Sequence, residues 1–245
     1  MSGPPPDRVL IQVSGPADVT VCIPCYEQSV YLQEALASVQ AQTRPVRETI
    51  VIDDGSSPAE ANLIRSLCDE HDARYLRVTN RGLPAARNTG IMAAAGEWFL
   101  PLDADDWLRS DYVAKTVAVG TRMQADVVLT GIQEYGQRTG CYKPGFDRPW
   151  QRVTADLILR DYNRFYYASL IRVSLLREVG GYNPKMSRGL EDADLWVDLL
   201  RRGARFAAVE DPVFEYRTRA DGMLQTIHKD GGYQQMVAEM RRHHA

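Results

Sequence analysis

Several things are scarce or missing in this sequence of 245 residues, and each absence removes a class of protein. No apolar run approaches the roughly 20 residues that span a bilayer, so no transmembrane segment is expected. The opening MSGPPPDRVL has no apolar h-region and does not read as a signal peptide. Its proline and glycine read instead as a flexible leader over residues 1–17, and a cytoplasmic protein is the expectation. Positive charge is not in excess: 29 Lys and Arg face 32 Asp and Glu, a net charge of -3. Nothing in that balance advertises an anionic membrane or nucleic acid, so a nucleic-acid acceptor is not indicated, though a local basic patch is compatible with it.

Cysteine is scarce too, at four residues. Cys22 and Cys25 form one C-x-x-C with no second pair to complete a zinc site, and Cys22 lies inside the apolar stretch VTVCIP. A buried thiol is the stronger reading than metal or redox chemistry. Neither G-x-x-x-x-G-K-[ST] nor G-x-G-x-x-G occurs, so P-loop and dinucleotide-binding readings lose their main support. What is present is ordinary globular composition, 44% hydrophobic and 25% charged, enough for a large core.

The pattern alternates. VTVCIP (19–24) reads as a buried strand and SVYLQEALASVQAQ as a helix with Ser29 as N-cap. Thr49 to Ile52 reads as a second strand, 59–70 as a helix and ARYLRV as a third strand. LPAARNTGIMAAAG is a helix with Gly96 beyond its end, and EWFLPL is the fourth strand. Such alternation implies βαβ units and a parallel sheet covered on both faces. Ligands then bind beyond the carboxyl ends of the strands, where Pro24–Glu27, Asp53–Ser56 and Asp103–Asp106 converge.

The second half is less regular. A helix is expected over 110–123, a strand over 125–131, a loop or poor hairpin over 133–152, and a strand at FYYASLIRV. GLEDADLWVDLLRRGARF reads as an amphipathic helix closed by Gly203, VFEYRT as a last strand, and VAEMRRHHA as a helix with a basic tip. No repeat or linker divides the chain. The expectation is one domain over 18–219, with a nucleotide-binding half to about 110 and an acceptor half after it, then a closing segment and helix over 220–245.

FLPLDADDWL carries the sharpest signal: an apolar strand runs into Asp103, Asp105 and Asp106. Like charges in one place cost free energy unless a positive group sits among them. A solvated acidic turn is the plain alternative. On an extended backbone Asp103 and Asp105 point one way and Asp106 the other, where it caps the next segment.

Taken in order, VTVCIPCYEQSVYLQEALASVQAQT, ETIVIDDGSS, NRGLPAARNTGIMAAAGEWFLPLDADDWL, GGYNP and GLEDADLWVDLLRRG closely resemble the family-2 glycosyltransferases of GT-A fold, from about Val19 to Arg217. The resemblance implies an α/β, Rossmann-like nucleotide-diphospho-sugar transferase fold, with a central mostly parallel sheet flanked by helices. It implies an inverting transfer of sugar from a nucleotide-sugar donor, in this reading a UDP-sugar, to an acceptor hydroxyl on a glycan or other molecule. Asp103 and Asp105 match the family's D-x-D. Mn²⁺ or Mg²⁺, hard ions that prefer oxygen, would sit at Asp105, with Asp103 on the ribose or a metal-bound water. Asp54 matches the position that bonds the base, on N3–H of a uracil. Tyr26 would stack on the ring and the Pro24–Glu27 backbone would contact it. Turn chemistry with Gly55 is the other reading of the Asp53–Asp54 pair and the favoured one for Asp53.

Arg87 is a bidentate phosphate donor in one reading and a salt bridge to Asp103 or Asp54 in the other. Asp192 matches the general base, with Glu191 supporting it or binding acceptor hydroxyls; N-capping by Asp192 is the plain alternative. Trp196 stacks on an acceptor sugar or fills the core. Relatives carry an arginine, then a histidine or hydroxyl residue, in a loop that closes over the diphosphate. Here Arg217 and Arg219 are present without that neighbour, leaving His228 as a displaced third metal ligand or a surface histidine. Two rival functions stay open: a nucleotidyltransferase, which has no use for the Glu191–Asp192 pair, and a non-catalytic sugar-nucleotide-binding module.

Overall fold

The computed structural model describes residues 15–142, 154–160, 166–167, 169–220 and 232–245. Residues 1–14 of the leader expected over 1–17, much of the loop over 133–152, part of FYYASLIRV, and His228 with most of the closing segment lie outside the described residues. In chain order the elements are β1 (Ala17–Cys25), α1 (Ser29–Gln40), β2 (Val46–Asp53), α2 (Pro58–Glu70), β3 (Arg74–Arg77), α3 (Leu83–Ala93), β4 (Trp98–Pro101) and β5 (Trp107–Leu108). They continue with α4 (Tyr112–Arg122), β6 (Val127–Gly136), β7 (Gly140–Tyr142), α5 (Ala155–Arg160), β8 (Ser169–Arg172) and α6 (Val173–Val179). A 3-10 turn (Pro184–Met186), α7 (Glu191–Arg201), β9 (Phe206–Thr218) and α8 (Gly232–His243) complete them.

One sheet runs β3-β2-β1-β4-β8-β6-β9-β5, with β7 paired to β6. β3, β2, β1 and β4 are parallel, and so is the long β6–β9 pair; β8, β5 and β7 join antiparallel. This is the expected α/β fold with a large, mostly parallel sheet flanked by helices. The central strands are apolar on both faces because helices cover both. Val21, Ile23, Val51 and Leu100 face one core with α1, α2 and α4, while Cys22, Ile50, Ile52 and Phe99 face the other with α3, α6 and α7. The C-x-x-C is split by this geometry: Cys22 belongs to one core and Cys25 to the other, and burial pushes both thiols up to about 12. They are packing residues, as the plainer reading held.

Close contact between α3 and β1 depends on Gly90. A Cβ there would lie 2.2 Å from Cys22 Sγ and 3.2 Å from Cys22 Cβ. Gly90→Ala is expected to cost about 1–3 kcal/mol by overpacking. Thermal unfolding should show a Tm lower by roughly 2–10 °C, and Cys22→Ala in the same chain should restore part of the loss.

Several local expectations are corrected. Ser29 is the first helical residue, not the cap; Gln28 precedes the helix without a side-chain cap bond, and the Ser29 N–H donates to Glu60 Oε2 of α2 at 3.1 Å. β9 begins at Phe206, well before VFEYRT, because its first half pairs with buried β6. The strand expected at FYYASLIRV ends at Arg172, and Val173, its last expected residue, opens α6. The expected poor hairpin exists as β6 and β7 up to Tyr142. No helix among the described residues is long and apolar enough to cross a membrane.

Candidate functional site

The parallel strands β1, β2 and β4 deliver their carboxyl ends to one rim. Cys25 pairs with Asp53 and Cys22 with Pro101, so Pro24–Glu27, Asp53–Ser56 and Asp103–Asp106 all follow strand ends on the same side. Glu27, at φ +54°, fastens two of these ends: its N–H donates to Ser56 Oγ at 3.1 Å and its carboxylate accepts from the Ser57 N–H at 2.5 Å. Pro24 is buried beneath, and Tyr26 is 51% exposed at the rim. Asp53 is structural, as favoured: it accepts from the Ser56 N–H and the Tyr75 hydroxyl, whose bonds hold its carboxyl below the usual range against the opposing effect of burial. Asp54 is buried and receives the N–H groups of Arg81 (3.1 Å) and Gly82 (2.8 Å), one on each carboxylate oxygen.

The acidic cluster is a turn rather than an extended strand end: the Asp106 N–H donates to the Asp103 carbonyl at 3.1 Å. The turn still separates the acids as expected, with Asp103 and Asp105 partly exposed and Asp106 buried. Asp106 does not cap the following segment. Its Oδ2 accepts from the Tyr167 hydroxyl at 2.5 Å and its Oδ1 from the Arg217 N–H at 2.7 Å, which pins the turn to β9. Burial and the charges of Asp105 and Asp103 push its carboxyl well above the ordinary range. Asp105 is pushed up to about 6, by burial first and by Asp103 second. A carboxyl raised in this way gains from a cation beside it, and Arg219 Nη1 lies 3.3 Å from Asp105 Oδ2.

Arg217 does not stand free. Its Nε donates to the Asp105 carbonyl at 2.8 Å, an Nη bonds Glu34, and its guanidinium lies among the rings of Tyr31, Trp107 and Tyr135. It braces the turn in this arrangement.

Arg87 forms the salt bridge of the two readings, and its side chain is fully buried. One Nη donates to Asp103 Oδ1 and the other to Glu191 Oε1, both at 2.7 Å. Tyr167 and Tyr182 lie on the guanidinium at 4.8 and 5.3 Å. With both ends committed to carboxylates, it offers no fork to a phosphate in this arrangement. Asn88 is likewise structural, exchanging hydrogen bonds with the Tyr182 backbone.

Glu191 and Asp192 open α7, as the pattern implies, and the capping alternative fails. Leu190 is the cap residue, in a left-handed conformation at φ +62°, and Asp192 lies inside the first turn. Glu191 is nearly buried against Arg87, whereas Asp192 is half-buried and its Oδ1 accepts from the Ala193 N–H at 2.7 Å. Burial first, then the charge of Glu191, pushes the Asp192 carboxyl up to about 7. Trp196 is 1% exposed and packs edge-on against Phe206, so it is core and not an acceptor platform. The sequence reading missed Tyr167 and Tyr182 as parts of the site; a tyrosine in an apolar run gives no sign that it will meet an aspartate 61 residues away.

The family model described as glycosyl transferase family 2 matches residues 20–180. The succinoglycan biosynthesis protein ExoO of Rhizobium meliloti is 33% identical over 225 residues, covering 87% of this chain and 64% of that protein. Among solved structures, residues 1–349 of S. aureus TarS in complex with UDP-GlcNAc match with a TM-score of 0.71 at 21% identity, over 85% of this chain and 60% of that one. A mannosyltransferase from Pyrobaculum calidifontis in complex with GDP-Man and Mn²⁺ matches with a TM-score of 0.69 at 21% identity, over 94% and 65%. The chain spans less than two thirds of the length of each of these relatives.

Proposed function

Since this chain belongs to glycosyl transferase family 2, we propose that it moves a sugar from a nucleotide-diphosphate sugar, a UDP-sugar in our reading, to an acceptor hydroxyl with inversion at the anomeric carbon. The observation that carries this is the buried Arg87 bridge. It ties Asp103 of the D-x-D turn to Glu191, the neighbour of Asp192, and so puts the donor acids and the proposed base in one network. The nucleotide sugars and the Mn²⁺ bound to the two structural relatives support the donor class and a divalent ion.

The residues fit such an ion. Asp103 and Asp105 offer hard oxygen donors, both partly exposed, and the raised Asp105 carboxyl marks a place where a cation is favoured. Bound there with the diphosphate, Mn²⁺ or Mg²⁺ supplies charge neutralisation of the leaving nucleotide. Tyr26 stacks on the base. Asp54 holds the 81–82 backbone against the pocket, and each of its oxygens keeps a second lone pair for a base N–H. Arg87 positions rather than touches the donor. Arg217 braces the D-x-D turn through the Asp105 carbonyl, and Arg219 supplies positive charge beside it. Asp192 takes the acceptor proton at its carboxylate, held against Ala193 N–H, as the hydroxyl attacks.

Thermal shift with UDP-, GDP-, dTDP- and CMP-sugars, with and without Mn²⁺, tests the donor reading. A UDP-sugar with Mn²⁺ at a hundredfold excess over Kd should raise Tm by roughly 5–10 °C. Asp105→Asn should abolish the Mn²⁺-dependent part. Stabilisation by none of the four sugars, or by all of them equally without Mn²⁺, would overturn it.

A further inference from the structure

A second cluster of ligating side chains lies outside the rim, where α7 meets α8. Asp194, Asp198, His243 and His244 each offer one ligand atom, and these atoms lie within 4.8 Å of one another. Asp194 and Asp198 are one turn apart on the same face of α7. Asp194 is two residues from Asp192 and so points about 200° away from it around the helix. The cluster is therefore separate from the proposed base and from the Asp103–Asp105 pair.

The geometry points to a Zn²⁺ site that staples α8 to α7. Asp194 Oδ1 lies 3.1 Å from His243 Nδ1 and 3.0 Å from His244 Nε2. Ligand atoms around tetrahedral zinc, with bonds of about 2.0–2.1 Å, are about 3.3 Å apart, so this trio opens by a few tenths of an ångström to admit the ion. Two imidazoles and two carboxylates are a donor set suited to zinc, and two carboxylates balance its charge. A second observation favours a ligand here. Asp194 is 0% exposed, yet its Oδ2 has no hydrogen-bond partner among the described residues. A buried carboxylate with one oxygen left without a donor is costly, and a cation bound to that carboxylate offsets the cost by compensating its charge.

The surroundings are those of a built site with an entrance. The Asp194 and His244 side chains are 1% exposed, while His243 and Asp198 are 41% and 32% exposed and leave a path for an ion. Arg201 Nη2 donates to the His244 carbonyl at 2.5 Å and fixes the backbone there. His244 Nδ1 lies 3.8 Å from Asp198 Oδ1 and 3.5 Å from Arg201 Nη1, and Asn183 Nδ2 lies 3.3 Å from His243 Nδ1. On zinc binding through His244 Nε2, His243 Nδ1 exchanges Asn183 for the ion.

The test uses the full chain, freed of metal, with Zn²⁺ alone and no nucleotide. Calorimetry should show one Zn²⁺ per chain, and Tm should rise by roughly 5–10 °C at a hundredfold excess over Kd. The double variant Asp198→Asn with His243→Gln, at the two more exposed positions, should keep the fold and weaken Zn²⁺ binding at least tenfold. Asp105→Asn should bind Zn²⁺ as the wild type does, which separates this site from the donor rim. No Zn²⁺ uptake, uptake unchanged in the double variant, or uptake lost in Asp105→Asn would each overturn the site without touching the proposed transferase reading.

Discussion

Asp192→Asn is expected to lower turnover by about 10²–10⁴-fold while leaving donor binding near the wild-type level. The asparagine keeps the shape and the hydrogen bond from Ala193 but has no basic oxygen to receive the acceptor proton. The contrast between turnover and binding is the informative part, because Asp192 bonds the Ala193 N–H and not the donor acids. The pH dependence gives a second readout. Burial and Glu191 raise this carboxyl from 3.8 to about 7. It is protonated and inactive as a base below that value and ionised above it. The wild-type kcat/KM should therefore climb as pH rises through about 7 and then level, and the residual activity of the variant should lack that limb. For folding the same shift has the opposite sense: the raised pKa favours the protonated native form, and this contribution fades as pH rises toward 7. Near wild-type turnover in Asp192→Asn would remove the base assignment.

Arg87→Met should be the most damaging single change to stability. It removes the guanidinium that neutralises Glu191, which is 7% exposed, and leaves Asp103, better solvated, beside Asp105. Breaking a buried ion pair by deleting one partner costs about 3–5 kcal/mol, which corresponds to a Tm lower by roughly 6–20 °C in a chain of this size. Adding Glu191→Gln to Arg87→Met should recover a part of the loss, because a neutral amide replaces an uncompensated charge. A Tm within 2 °C of wild type would show that the bridge carries little of the fold.

The sequence made the donor half legible because its physics is local. Buried parallel strands write themselves as short β-branched runs, and the acids after them mark where the strands stop. The rim of Pro24, Asp54 and Asp103 follows from those two facts alone. What could not be read was pairing across long separations. Arg87 meets Glu191 over 104 residues, and nothing near either position distinguishes a bridging arginine from one that waits for phosphate. Trp196 shows the same limit, since core and platform look alike until Phe206 is seen against it. At Asp103–Asp106 the expected extended backbone gives way to a turn, because strand periodicity stops with β4 at Pro101. Asp194, His243 and His244 drew no attention, for each is ordinary until α8 lies against α7.

Arg219 directly follows β9, and the fold holds its charge beside Asp105. A partner fixed within the same chain acts at an effective concentration of about millimolar or above, whatever the surrounding solution contains. Dialysis to low ionic strength therefore does not strip Asp105 of its counter-charge, and the buffer alone does not decide how negative this rim is.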